Sequence, residues 1–145
     1  MKPLIQSSLH KDALVDKTIL ITGASSGLGR TLAYECANHG ATVILNGTNI
    51  DALNQTYDHI LSMDNPEPAI LELDLRKGEE HEFKAITNVI QTNVGELHGL
   101  IHCATHISEL GSIRHLRLTD WQDLMKVNVI APALLTQSCE PLFEA

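Results

Sequence analysis

The feature that most limits what this chain can become is the turn Thr22-Gly23-Ala24-Ser25-Ser26-Gly27-Leu28-Gly29, lodged between an apolar run and a helix-forming stretch. Upstream, Thr18-Ile19-Leu20-Ile21-Thr22 is short, β-branched and apolar, the pattern of a strand buried on both faces. Downstream, Leu28, Leu32, Ala33, Cys36 and Ala37 recur at helical spacing, and Gly40 stands where a C-terminal cap belongs. Of three glycines so placed, one permits a tight turn, one lets backbone approach a pyrophosphate with no Cβ in the way, and one lets helix and strand close together. Free amides and the positive end of the helix would face the phosphates. Glycines that merely shape a tight turn would read the same way, and the spacing is T-G-x-x-x-G-x-G rather than the common G-x-G-x-x-G.

The alternation continues. Thr42–Leu45 predicts a second strand, Asn46-Gly47-Thr48-Asn49 a turn, and Ile50, Leu53, Tyr57, Ile60 and Leu61 a second amphipathic helix. Pro66 and Pro68 make a loop, since neither can sit inside a ladder or a helix. Ala69–Leu73 predicts a third strand, and Phe83, Ile86, Val89, Ile90 and Val94 a third helix that closes near Gly95. Gly99–Cys103 is the fourth strand. Thr119-Asp120-Trp121-Gln122 has capping-box form and opens a long helix whose stripe runs through Leu124, Val127, Ile130, Ala131, Leu134, Leu135 and Cys139, with a kink expected at Pro132. Strands alternating with helices require parallel pairing and right-handed crossovers, hence a doubly wound α/β sheet of order 3-2-1-4. Residues 1–16 lack any period and read as a surface arm.

Composition narrows the partners. Net charge is −8 with 3% aromatics, which offers neither the basic footprint nor the stacking platform of a nucleic-acid binder. No apolar run reaches the roughly 18 residues that span a bilayer, and the N-terminal stretch is too broken by charge for a signal core, so a cytoplasmic location is expected. Cys36, Cys103 and Cys139 are odd in number and widely spaced, reading as buried thiols. His98, His102 and His106 recur every four residues, but on a strand and its loop that spacing does not converge side chains, so no metal is expected. Cys103 beside His102 would point to the opposite face of a strand, against a thiolate–imidazole pair. Arg114, His115 and Arg117 form a basic cluster that is either solvated surface or a grip for an anionic substrate.

With T-G-x-x-x-G-x-G at this position, the chain resembles the short-chain dehydrogenase/reductase family over about residues 14–144, in its N-terminal half and nearest the bacterial subgroup related to acyl-carrier-protein reductases. The resemblance implies a Rossmann-type fold over residues 17–145 and an oxidoreductase that moves hydride between NAD(P) and a carbonyl or alcohol carbon. Gly23, Ser25, Ser26, Gly27, Leu28 and Gly29 would then hold the pyrophosphate, with Thr48 and Ala104 as further cofactor contacts. The two serines equally suit a helix cap. Asp74, in Leu73-Asp74-Leu75, inherits the family's hydrogen bond to adenine, although a helix N-cap is the alternative. Asn128, in Val127-Asn128-Val129, inherits the role of shaping a water site in the proton relay and is the one catalytic candidate; it could equally cap carbonyls freed at Pro132.

Two departures follow. After the fourth strand the family shows N-N-A-G, whereas this chain has His102-Cys103-Ala104-Thr105, where Thr105 would be strained if the backbone needs positive φ. The family's chemistry also rests on a serine and a Y-x-x-x-K pair; Tyr34 is followed four residues on by Asn38 and Tyr57 by Leu61, so neither tyrosine fits. The expectation is an N-terminal half that binds cofactor and does not catalyse alone, with an unpaired fourth-strand edge and an uncovered long-helix stripe that favour self-association. The rival expectation is a nucleotide-binding or interaction module without redox chemistry. After the second strand no carboxylate meets a ribose 2′-hydroxyl, Asp51 falling inside the next helix, which leans toward NADP over NAD; Arg30 is the nearest basic candidate for a 2′-phosphate.

Overall fold

The computed structural model describes residues 10–107 and 112–143. Their element order is β1 (Thr18–Thr22), α1 (Gly27–Asn38), β2 (Thr42–Asn46), α2 (Ile50–Ser62), β3 (Ala69–Leu71), α3 (Glu80–Asn93), β4 (Gly99–His102), α4 (Leu118–Met125), a π-helical turn (Lys126–Ile130) and α5 (Ala131–Cys139). Among the described residues the strands form one parallel sheet in the order β3-β2-β1-β4, as the alternation requires. Register runs Leu20↔Ile44 and Leu20↔Leu100 about the central strand, with Leu45↔Ile70 beyond it.

The pleat sends alternate residues to two cores. Ile19, Ile21, Val43 and Leu45 pack with Ala33, Cys36 and Ala37 of α1 and Leu53 and Ile60 of α2. Leu20, Ile44 and Leu71 pack with Phe83, Ile86 and Ile90 of α3 and Ala131, Leu135 and Cys139 of α5. Every residue of β1 is buried, as its unbroken apolar run demands. The described part of the N-terminal arm is a run of turns in which the Leu14 amide donates to the His39 carbonyl (2.9 Å), against the end of α1.

Boundaries differ from the sequence pattern in ways that have local causes. β2 runs one residue longer, to Asn46, and β3 stops at Leu71 rather than Leu73 because the ladder to β2 ends with Asn46↔Leu71. β4 ends at His102, after which Cys103 and Ala104 donate their amides to the Thr22 hydroxyl instead of to a strand. The N-cap of α4 is Arg117, not Thr119: the Asp120 carboxylate accepts from the Arg117 amide (2.8 Å), so the cap sits two residues earlier and the helix opens at Leu118. Pro132 does not simply kink the helix. The turn before it widens to π geometry, with the Ala131 amide donating to the Lys126 carbonyl, and α5 restarts with the proline in its first turn. Leu61, Val89 and Ile130, read as parts of apolar stripes, are exposed at stripe margins.

Candidate functional site

At the C-terminal edge of the parallel strands a cleft of about 700 Å³ opens where the strand order reverses, between β1 and the strands to either side. That is where ligands sit in open α/β sheets. Its walls include Gly23, Ser25, Ser26, Gly27, Leu28 and Gly29 from the β1–α1 turn, Thr48 after β2, Asp74 after β3 and Ala104 after β4. The structure thus brings together every cofactor contact expected from the sequence. Leu28, placed by its spacing on the apolar stripe of α1, is 68% exposed on this cleft and belongs to the cleft wall instead.

The glycines divide their work by geometry. Gly23 has φ +69°, and a Cβ there would lie 2.8 Å from the Ala104 amide nitrogen, so this turn touches the β4 loop backbone to backbone. A Cβ on Gly29 would stand 2.3 Å from the Gly23 carbonyl oxygen, which makes it the residue that lets α1 close on the turn. Nothing lies within 4 Å of a Cβ built on Gly27, leaving backbone open to the cleft.

Electrostatics point the same way. The first turns of α2, α3 and α4 carry acids, Asp51, Glu80 with Glu82, and Asp120, whereas that of α1 carries none. Ser26 occupies the N-cap position of α1 in extended conformation but makes no side-chain cap bond, so the positive end of that helix faces the cleft unneutralised. Asp74 does not cap α3, whose N-cap is Glu79. It holds its own turn: Oδ1 accepts from the Arg76 amide (2.9 Å), and its carbonyl accepts from Lys77 (3.1 Å) and Gly78 (2.7 Å). Oδ2 lies 3.8 Å from Lys77 Nζ.

Asn128 sits in the π turn, and its side chain is engaged with the loop after β4. Oδ1 accepts from the His106 amide (2.9 Å) and the Thr105 hydroxyl (3.2 Å), while Nδ2 donates to the His106 carbonyl (2.8 Å). Thr105 itself is unstrained, because the non-glycine residues of positive φ among those described are Asp16 and Asp64. Arg30 is not among the residues that line the cleft; its guanidinium donates to the Ser25 carbonyl and so braces the turn.

Other groups go their own ways. His98 Nδ1 accepts from the Thr18 amide (3.1 Å) and His102 Nε2 pairs with the Thr136 hydroxyl (3.0 Å), so these rings do not converge. Burial lowers the His102 pKa and raises that of Cys103. Tyr57 donates to Glu67 (2.6 Å) and Tyr34 packs on His59, both away from the cleft. Sequence reasoning missed Arg76 and Lys77, basic residues on the cleft wall directly after Asp74, and it missed Thr22 Oγ1, which accepts from Cys103 and Ala104 (both 3.1 Å) and ties β1 to the β4 loop. A polar, β-branched residue at the end of an apolar strand was the available signal.

Comparison with known proteins agrees with this geometry. The chain is 37% identical over 132 residues to the oxidoreductase YciK of Escherichia coli (strain K12), covering 91% of this chain and 52% of YciK. A solved short chain dehydrogenase from Pseudomonas syringae superposes with a TM-score of 0.90 at 32% identity, over 96% of this chain and 56% of that one. One from Escherichia coli CFT073, complexed with NADPH, superposes at 0.87 with 37% identity, over 92% of this chain and 55% of its own. The chain therefore spans about half the length of these relatives. Residues 17–145 match the family described as short chain dehydrogenase, and with the parallel sheet and the glycine turn in place the chain belongs to that family of oxidoreductases.

Proposed function

We propose that residues 17–145 form the dinucleotide-binding half of an NAD(P)-dependent oxidoreductase acting on a carbonyl or alcohol carbon. The observation that carries this reading is the α1 N-terminus, free of acids and caps, opening through Gly27 onto a cleft that gathers the turns after all four strands. Gly23–Gly29 would hold the diphosphate through main-chain amides and the two serine hydroxyls. Thr48 and Ala104 would flank the adenosine, and Asp74 would accept from the adenine amine. When bound, the nicotinamide would supply hydride to a carbonyl carbon or accept it from an alcohol carbon. Asn128 would fix the Thr105–His106 loop and, through it, a water site on the substrate side.

NADP is favoured over NAD: the β2 side of the cleft presents Asn46, Gly47 and Thr48, with no carboxylate to repel a 2′-phosphate, and the relative from CFT073 was solved with NADPH. Since neither tyrosine reaches the cleft, the chain alone would bind cofactor without turning over a carbonyl substrate. That same observation supports the second reading, a binding module without redox chemistry. The subgroup related to acyl-carrier-protein reductases rests on the resemblance of the glycine turn alone. A cytoplasmic location is proposed with it; among the described residues no helix is long and apolar enough to cross a membrane. Self-association is proposed at the β4 edge; of the long-helix stripe, Ala131, Leu135 and Cys139 are buried in the core with α3 rather than uncovered, and the apolar side chains exposed beside them are Leu118, Trp121, Met125 and Val129.

Titration of the folded chain with NADPH and NADH, followed by amide NMR, tests the reading. Gly23–Gly29 resonances should shift, with NADPH saturating first. If they stay in place at saturating dinucleotide, the reading fails.

A further inference from the structure

Asn46 is a polar residue at the end of an apolar strand, 1% exposed, in a position where asparagine is disfavoured. Its main chain and side chain act on opposite walls of the cleft. The Asn46 carbonyl accepts from the Ala24 amide (2.9 Å), fixing the glycine turn. Its Nδ2 donates to the Leu71 carbonyl (3.0 Å) and to the Leu73 carbonyl (2.9 Å), which carries the β2–β3 pairing past its last rung and pins the residue directly before Asp74. Because both near partners are carbonyls, only the amide nitrogen can face them, and Oδ1 is turned the other way, buried with no partner. A buried acceptor without a donor opposes stability. An apolar side chain would remove that penalty but leave the Leu71 and Leu73 carbonyls without this donor, so what the amide secures is the path of the Leu71–Leu73 main chain.

We infer that Asn46 is a positioning residue that sets the purine end of the cleft: it holds the Asp74 turn at a fixed reach from the phosphate-facing glycines and thereby lets the Asp74 carboxylate select an exocyclic amine. This rests on the dinucleotide reading above.

The test is Asn46→Val, close to asparagine in volume, which keeps the main-chain bond to Ala24, removes the two donations, and removes the orphaned acceptor. Affinities of the 145-residue chain are measured for NADPH and for its hypoxanthine counterpart, which carries a carbonyl where adenine has the amine. Wild type should prefer adenine by about tenfold, the worth of one charge-assisted hydrogen bond. In the variant that preference should collapse toward unity, by loss of NADPH affinity with the hypoxanthine affinity little changed, in a protein whose single cooperative urea transition shows that it is folded. Asn46→Ala, smaller and likewise without the donor, should lose the preference as well and guards against a misfit peculiar to valine. Equal losses for both dinucleotides, or a retained preference in either variant, overturn the inference while leaving cofactor binding intact. A wild type without preference overturns it at Asp74, and a wild type that binds neither dinucleotide takes down the parent reading too.

Discussion

Gly29→Ala tests the packing on which the cleft is built. A Cβ there would stand 2.3 Å from the Gly23 carbonyl oxygen, 2.7 Å from its carbon and 3.1 Å from the Ala24 nitrogen, all backbone. No flexible side chain can yield, so α1 must retreat from the turn by about 1 Å to restore contact distance. The retreat loosens Ala33, Cys36 and Ala37 against the β1–β2 face, where each is buried. Overpacking of this kind costs about 1–3 kcal/mol, while the helix propensity of alanine over glycine returns a little under 1 kcal/mol. The net expectation is a loss of about 1–2 kcal/mol, on the order of 3–6 °C in Tm for a chain of this size. Gly27→Ala is the comparison. It meets nothing within 4 Å but has φ +52°, so it should cost about 1 kcal/mol in backbone strain while placing its methyl where the diphosphate would lie. Urea unfolding and NADPH titration on both variants separate the effects: Gly29→Ala falls mainly in stability, Gly27→Ala mainly in affinity. A Gly29→Ala variant with the wild-type urea midpoint would show that the turn and the helix are not in the contact described.

Thr22→Val leaves the Cys103 and Ala104 amides without their shared acceptor, so it should cost about 2 kcal/mol and speed hydrogen exchange at those two amides first. Asn128→Ala removes the clamp on the Thr105–His106 loop; its expected signature is faster exchange at the His106 amide, with a stability loss of about 1 kcal/mol. Burial pushes the Cys139 thiol up to about 11 from 9.0. The folded state therefore holds that proton more tightly than the unfolded chain, and its contribution is complete below pH 9 and drains away as pH rises toward 11. Urea midpoints at pH 8 and pH 10.5 should differ more for wild type than for Cys139→Ala, and equal slopes would contradict the assignment. Light scattering should find the chain self-associated and Trp121→Glu more monomeric; a wild-type monomer at high concentration refutes the proposed self-association.

Order in the sheet was legible in the sequence because each strand is a run of consecutive apolar residues and each helix shows a 3.6-residue stripe, patterns that survive in Ile19–Ile21 and in Phe83, Ile86 and Ile90. The cleft residues were legible because a glycine turn after the first strand of such a sheet has one place to go. Beyond Arg76 and Lys77 on the cleft wall, what the sequence hid is side chains bonded to main chain far along the chain. Thr22 reaches the amides of Cys103 and Ala104, Asn46 the carbonyls of Leu71 and Leu73, Asn128 both main-chain groups of His106. No local period reports such pairs. They also explain why strand ends were misjudged, since β3 and β4 stop where a side chain takes over the hydrogen bonding that a further rung would have supplied.

The same economy bears on charge. A net of −8 argues against a phosphate-bearing partner when the chain is taken as a whole, yet the folded chain keeps acids out of the first turn of the one helix whose N-terminus enters the cleft. Screening makes the distinction physical: at about 0.15 M salt, charges more than roughly 8 Å apart are largely hidden from one another, so an anion at Gly27 responds to the α1 amides beside it rather than to the net charge of the chain. Raising ionic strength should therefore weaken NADPH binding only modestly, because main-chain donors at short range do most of the holding. A steep dependence, of the kind long-range attraction to surface lysines would give, would move the site of phosphate recognition away from the glycine turn and onto the Arg76–Lys77 side of the cleft.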